Sequence, residues 1–118
     1  MRPSRRYPGI VSTDGSAAIA VEVYRDAGSA LVTVGGELEF GTAASLRTTL
    51  SDLAQDDSDP IVVDLTALQF IDSSGLSLLV QAKQRFSAQG RRFELRGPTD
   101  RVSRVIEISG LAELFELD

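Results

Sequence analysis

The chain contains no cysteine and no histidine, and its only lysine is Lys83. Without cysteine there is no disulfide framework, no thiol nucleophile and no cysteine zinc site, and the composition fits a reducing cytoplasm. Without histidine there is no Ser-His-Asp arrangement, no imidazole base and no histidine metal ligand. Apolar runs stay well short of the ~20 residues that a spanning helix requires, so no membrane span is expected. The formal net charge of −5 leaves no basic surface for nucleic acid or anionic lipid. Arg2, Arg5 and Arg6 open the chain, but Ser12, Thr13, Asp14 and Ser16 interrupt the apolar region that a signal peptide needs. Residues 1–16 therefore read as a disordered polar tail and 17–118 as the folded domain.

The 118 residues, 42% hydrophobic and 25% charged, suit one soluble domain with its own core. Ile19–Tyr24 and Ala30–Val34 are β-rich runs either side of "RDAGS" and form a predicted hairpin. Gly35, Gly36 and Gly41 mark a loop after it. Between Thr42 and Ala54, Ala43, Leu46, Leu50 and Leu53 make one apolar helical face. Asp56, Asp57 and Asp59 follow. Three acids in six residues lack the six to eight oxygens at set spacing that Ca²⁺ takes, so a solvated loop is expected and no metal.

"IVVDL", Ile61–Leu65, is continuously apolar, which suits a strand covered on both faces. A loop over "TALQFIDSS" leads into a helix from Ser74 to Gln89 with Leu76, Leu79, Val80 and Phe86 inward, stopped by Gly90. "RFELRG" alternates as a strand. Pro98 opens a third helix with Val102, Val105 and Ile106 inward, and Leu114–Leu117 reads as a last short strand. The class is α/β: a mostly parallel sheet of about five strands, an N-terminal β-hairpin and three helices. In such sheets, function sits where strands hand over to helices. "FIDSSG", Phe70–Gly75, lies at one of these handovers.

Asp72 or Ser73 is placed to cap the helix, and Gly75 lets the chain pack closely. A nucleophilic serine would need a base. Lys83, ten residues after Ser73, would lie roughly 15 Å away along one helix at 1.5 Å per residue. "DSSG" is neither G-x-S-x-G nor part of a Walker loop. Catalysis by this chain alone is not expected, nor is a cofactor. The hydroxyl can instead be a substrate: a serine on a rigid helix start is presented to a kinase, and a phosphate there adds about −1.5 to −2 charges.

At this point the residues resemble a known family. "LTALQFIDSSGLSLLVQA" is similar to the signature of the STAS domain, most closely that of the bacterial anti-sigma factor antagonists. "VTVGGELEFGTAASL" resembles the family's strand, G-E-L-D loop and first helix, and "VSRVIEISGLAELFEL" its late S-G-L segment. The three landmarks cover about residues 17–117. The resemblance implies that Ser73 is the phosphorylated serine, with Asp72 before it and Ser74 and Gly75 completing the motif. It further implies an anti-sigma factor that is also a serine kinase as partner, a serine phosphatase that resets the switch, and no direct nucleic-acid contact. The implied partner-binding residues are Glu37, Glu39, Asp72, Ser74 and Gly75.

Glu39 stands where the family loop has aspartate, so a contact there is expected to differ. Family members commonly carry another helix after the last strand, whereas this chain ends at Asp118, as a short or trimmed version would. Arg85, Arg91, Arg92, Arg96, Arg101 and Arg104 are expected to form a solvated or protein-facing surface. An alternative within the same family is the accessory subunit of a lipid ABC transporter, which would copurify with a membrane permease.

Overall fold

The computed structural model describes residues 4–5, 10–12 and 18–117. Strand β1 (Ser4–Arg5) and strand β2 (Ile10–Ser12) lie within the expected tail, yet both pair antiparallel with β3 (Ala18–Asp26). The remainder of residues 1–16 lies outside the described residues. β3 and β4 (Ser29–Leu38) form the expected hairpin, closed where Asp26 pairs with Ser29 around the Ala27–Gly28 turn.

β4 is the axis of the sheet. β5 (Ile61–Asp64) runs parallel to its first half, at Ala30–Thr33, and β7 (Phe93–Arg96) runs parallel to β5. β6 (Leu68–Ile71) takes the same edge of β4 further along, at Gly36–Leu38. The predicted loops at Gly35–Gly36 and at "TALQFI" are therefore partly strand. The register shifts between Gly36 and Glu37. Gly36 has φ +92°, and a Cβ there would stand 2.4 Å from the Ala18 carbonyl oxygen. Glycine is thus what lets the bulge form while β3 stays paired.

Helix α1 (Ala43–Ala54) buries Ala43, Leu46, Leu50 and Leu53, the predicted face. Helix α2 (Ser73–Ala88) buries Leu76, Leu79 and Phe86, and adds Leu78 and Ala82 to them. Helix α3 (Asp100–Ile108) buries Val102 and Ile106, while Val105 is half-buried. Thr99 starts it: its hydroxyl oxygen accepts the Val102 N–H at 3.2 Å. The same hydroxyl donates to the Leu68 carbonyl at 3.3 Å, so it occupies a position on β6 where a further strand would bond, and α3 packs against that strand.

Burial alternates along β3, β4, β5 and β7. β5 is therefore fully covered on one face only; Val62 and Asp64 point to the half-buried face. A continuous apolar run had predicted cover on both. Leu114–Leu117 is not a strand either. Phe115, Glu116 and Leu117 donate their N–H groups to Leu111, Glu113 and Ala112. These local turn bonds leave nothing for a sheet, while Phe115 still reaches the core.

Candidate functional site

The site forms where β4 and β6, parallel neighbours, end side by side and hand over to α1 and α2. Asp72 ties the two handovers together. Its N–H donates to the Leu38 carbonyl at 3.2 Å, one carboxylate oxygen accepts the Gly75 N–H at 3.0 Å, and the other accepts the Phe40 N–H at 3.1 Å. Asp72, not Ser73, is the cap of α2. Because the cap belongs to aspartate, the hydroxyl of Ser73 is not used to hold the helix.

The loop facing it is locked from within. Thr42, fully buried, donates its hydroxyl to the Glu37 carbonyl at 2.6 Å and accepts the Glu39 N–H at 3.0 Å. The Glu39 carboxylate folds back to accept the Gly41 N–H at 3.1 Å, so this side chain is taken up by its own loop. Glu37 is half-buried. Gly75 is buried, and a Cβ there would fall 2.8 Å from Leu38 Cγ, Ile71 Cγ1 and the Leu38 carbonyl oxygen. Its absent side chain lets α2 close onto β4 and β6.

Ser73 is exposed and Ser74 half-buried. Both line an open depression of about 270 Å³ with Phe40, Ala43, Arg47 and Ser77. Phe40 lies in the 37–41 loop already expected at the partner surface but was not singled out by name, and Arg47 was missed in the sequence. Phe40 is 83% exposed: Asp72 and Thr42 hold its backbone neighbourhood while its ring points to solvent. The signal for it was a single aromatic inside an otherwise polar and glycine-rich loop. Arg47 lies one helical turn after Ala43, and none of the ion pairs among the described residues involves it.

The only lysine is turned away from Ser73. Lys83 Nζ donates to the Phe93 carbonyl at 3.2 Å, on the β7 side of α2. Among the described residues no helix is long and apolar enough to cross a membrane, and no group of three or more histidine, cysteine or carboxylate side chains could hold a metal. Asp56 and Asp59, from the acidic run after α1, pair with arginines instead: Asp56 with Arg25 and Arg91, Asp59 with Arg92.

The family model of the STAS domain matches residues 18–118. The chain belongs to the STAS family. "DSSG" spans the cap and first turn of its second helix. This STAS chain is 33% identical over 87 residues to the anti-sigma-B factor antagonist of Staphylococcus aureus, covering 74% of the chain and 81% of that protein. It is 30% identical over 100 residues to the anti-sigma-F factor antagonist RsfB of Mycobacterium tuberculosis, covering 85% and 81%. The crystal structure of an anti-sigma factor antagonist from Mycobacterium paratuberculosis superposes with a TM-score of 0.78 at 27% identity, covering 91% of this chain and 89% of that one. These relatives bear the names of regulatory proteins.

Proposed function

We propose that this STAS domain is an anti-sigma factor antagonist acting by partner switching in the cytoplasm. Its unphosphorylated form binds an anti-sigma factor that is also a serine kinase, and the sigma factor is thereby released. The kinase then transfers the γ-phosphoryl group of ATP to Ser73. The bond from the γ-phosphorus to the bridging oxygen breaks, ADP leaves with that oxygen, and an ester forms at Ser73 Oγ while its proton passes to the kinase or to water. A serine phosphatase hydrolyses the ester and resets the switch. The domain itself is a binding module and not an enzyme.

The observation that supports this reading most is the exposed Ser73 hydroxyl on a braced handover. Asp72 already does the structural work, so modification of Ser73 leaves the cap and the α2–β4 contact in place. The added charge of about −1.5 to −2 then acts mainly on whatever docks over Ser73, Ser74 and the 37–41 loop. Desolvating a dianion beside Asp72 is costly, which opposes docking.

Incubation with a cognate anti-sigma kinase and ATP should add one phosphate, mapped by mass spectrometry to Ser73. Ser73→Ala should still bind the partner, and Ser73→Glu should bind it roughly tenfold or more weakly. Phosphate on Ser74, or equal affinity of the two variants, would sink the assignment.

A further inference from the structure

We propose that Arg47 is the receiver of the phosphate on Ser73, an internal cation that the modified serine captures and thereby withdraws from the partner surface. The inference rests on Ser73 being the modified residue. Its basis is the depression in which Arg47 of α1 faces Ser73, Ser74 and Ser77 of α2. Arg47 is exposed and has a planar fork suited to bidentate contact with phosphate. Two carboxylates at this end are already engaged, and Glu37 is half-buried in the loop before α1. Asp72 accepts two backbone N–H groups, and the Glu39 carboxylate accepts the Gly41 N–H. Arg85 lines a neighbouring groove between α1 and α2, together with Arg47, and its guanidinium reaches Ser51 at 3.4 Å. Arg47 alone of the two arginines borders both hollows.

The consequence is a larger change than the phosphate makes by itself. Before modification, Arg47 offers a free positive charge beside the exposed Phe40 ring, and so suits a carboxylate on the docking partner. After modification, the guanidinium lies against the domain's own phosphate, and the local charge contributed by the pair goes from plus one to about −0.5 to −1. The partner loses an attractive contact and meets a repulsive one together.

The test uses the full chain with phosphoserine installed at position 73 during translation and follows its ³¹P resonance against pH. The second ionisation of phosphoserine, ordinarily near pH 6, should fall lower in the otherwise unaltered chain and rise by roughly half a unit in Arg47→Gln. Arg47→Lys, which restores the charge, should bring the midpoint back toward its original value, and Arg85→Gln should leave it unchanged. Identical midpoints with and without Arg47, or an equal rise in Arg85→Gln, would overturn the proposal. No kinase takes part in this measurement. A kinase that ignores Ser73 therefore counts against the proposed function alone, and an unmoved ³¹P titration counts against Arg47 alone.

Discussion

The two ends of β4 are built on opposite plans. At its start, beside the hairpin turn, charges are turned inward and paired. Asp56 lies between Arg25 and Arg91, with Arg91 Nη2 at 3.2 Å. Arg91 also donates to the Ser58 and Leu53 carbonyls at 2.8 Å each and to the Ala54 carbonyl at 3.3 Å, and its guanidinium lies 4.9 Å from the centre of the Phe86 ring. Phe86 in turn stacks on Phe93 at 5.6 Å. At the far end of β4, backbone groups bonded to the Asp72 carboxylate and the Thr42 hydroxyl do the holding, and Ser73, Phe40 and Arg47 are exposed. One end uses its polar groups to close the fold. The other closes with one carboxylate and one hydroxyl bonded to backbone groups and leaves Ser73, Phe40 and Arg47 exposed.

Removing Arg91 should break the closed end most severely. Arg91→Ala takes donors from three carbonyls and from Asp56 and uncovers Phe86, and is expected to cost about 3 kcal/mol in denaturant unfolding, with partner affinity unchanged at temperatures where the variant is folded. A loss under about 0.5 kcal/mol would mean that this end is not a structural clasp.

Asp72→Ala attacks the open end. It loses the α2 cap and the tie to the Phe40 loop, with an expected loss of about 1–2 kcal/mol. It should also accelerate amide exchange at Phe40 and Gly75, readable by NMR. Unchanged exchange at Phe40 would show that the loop is held by Thr42 alone.

The smallest effect concerns acid. Burial would raise the Asp56 carboxyl, but the Ser58 N–H and the Arg25 guanidinium outweigh it and hold the carboxyl below its ordinary 3.8. Asp64 is held low in the same way, against burial, by the N–H and hydroxyl of Thr66 and by Arg96. A group whose folded value is depressed stabilises the fold above its unfolded value and loses that contribution as pH falls through the folded one. Asp56→Asn should therefore be less stable than the parent chain near neutrality, with the gap narrowing as pH falls below the ordinary 3.8 and through the depressed folded value. Thermal melts across that range check it; a constant gap would detach Asp56 from the acid response.

How far these features were legible from residue order depends on how local their causes are. The apolar faces of α1 and α2 were, because side chains three and four apart share a helix face whatever lies opposite. β6 was not: only Leu68 and Ile71 at its two ends are buried, with Gln69 and Phe70 exposed between them, so no alternation announces a strand. Gly35 and Gly36 suggested a loop, since a bulge inside a paired strand and a turn call for the same residue. Leu114–Leu117 looked like a strand because burying Phe115 from a turn gives the same apolar letters. The arginines from Arg85 to Arg104 were expected on a surface, yet the Arg91 side chain is only 10% exposed, because its carbonyl partners lie 33 to 38 residues earlier.

At the site, the residue order by itself established the absence of histidine and cysteine, a capped helix start with available hydroxyls, and the three STAS landmarks. Each of these is a matter of residue identity or short spacing. Tertiary structure decided the division of labour. It gave the cap to Asp72, which freed Ser73, packed Gly75 against β4 and β6, and brought Arg47 and Phe40 to the same hollow. Such assignments depend on β4 and β6 ending side by side, a pairing of segments some thirty residues apart that short-range patterns do not encode.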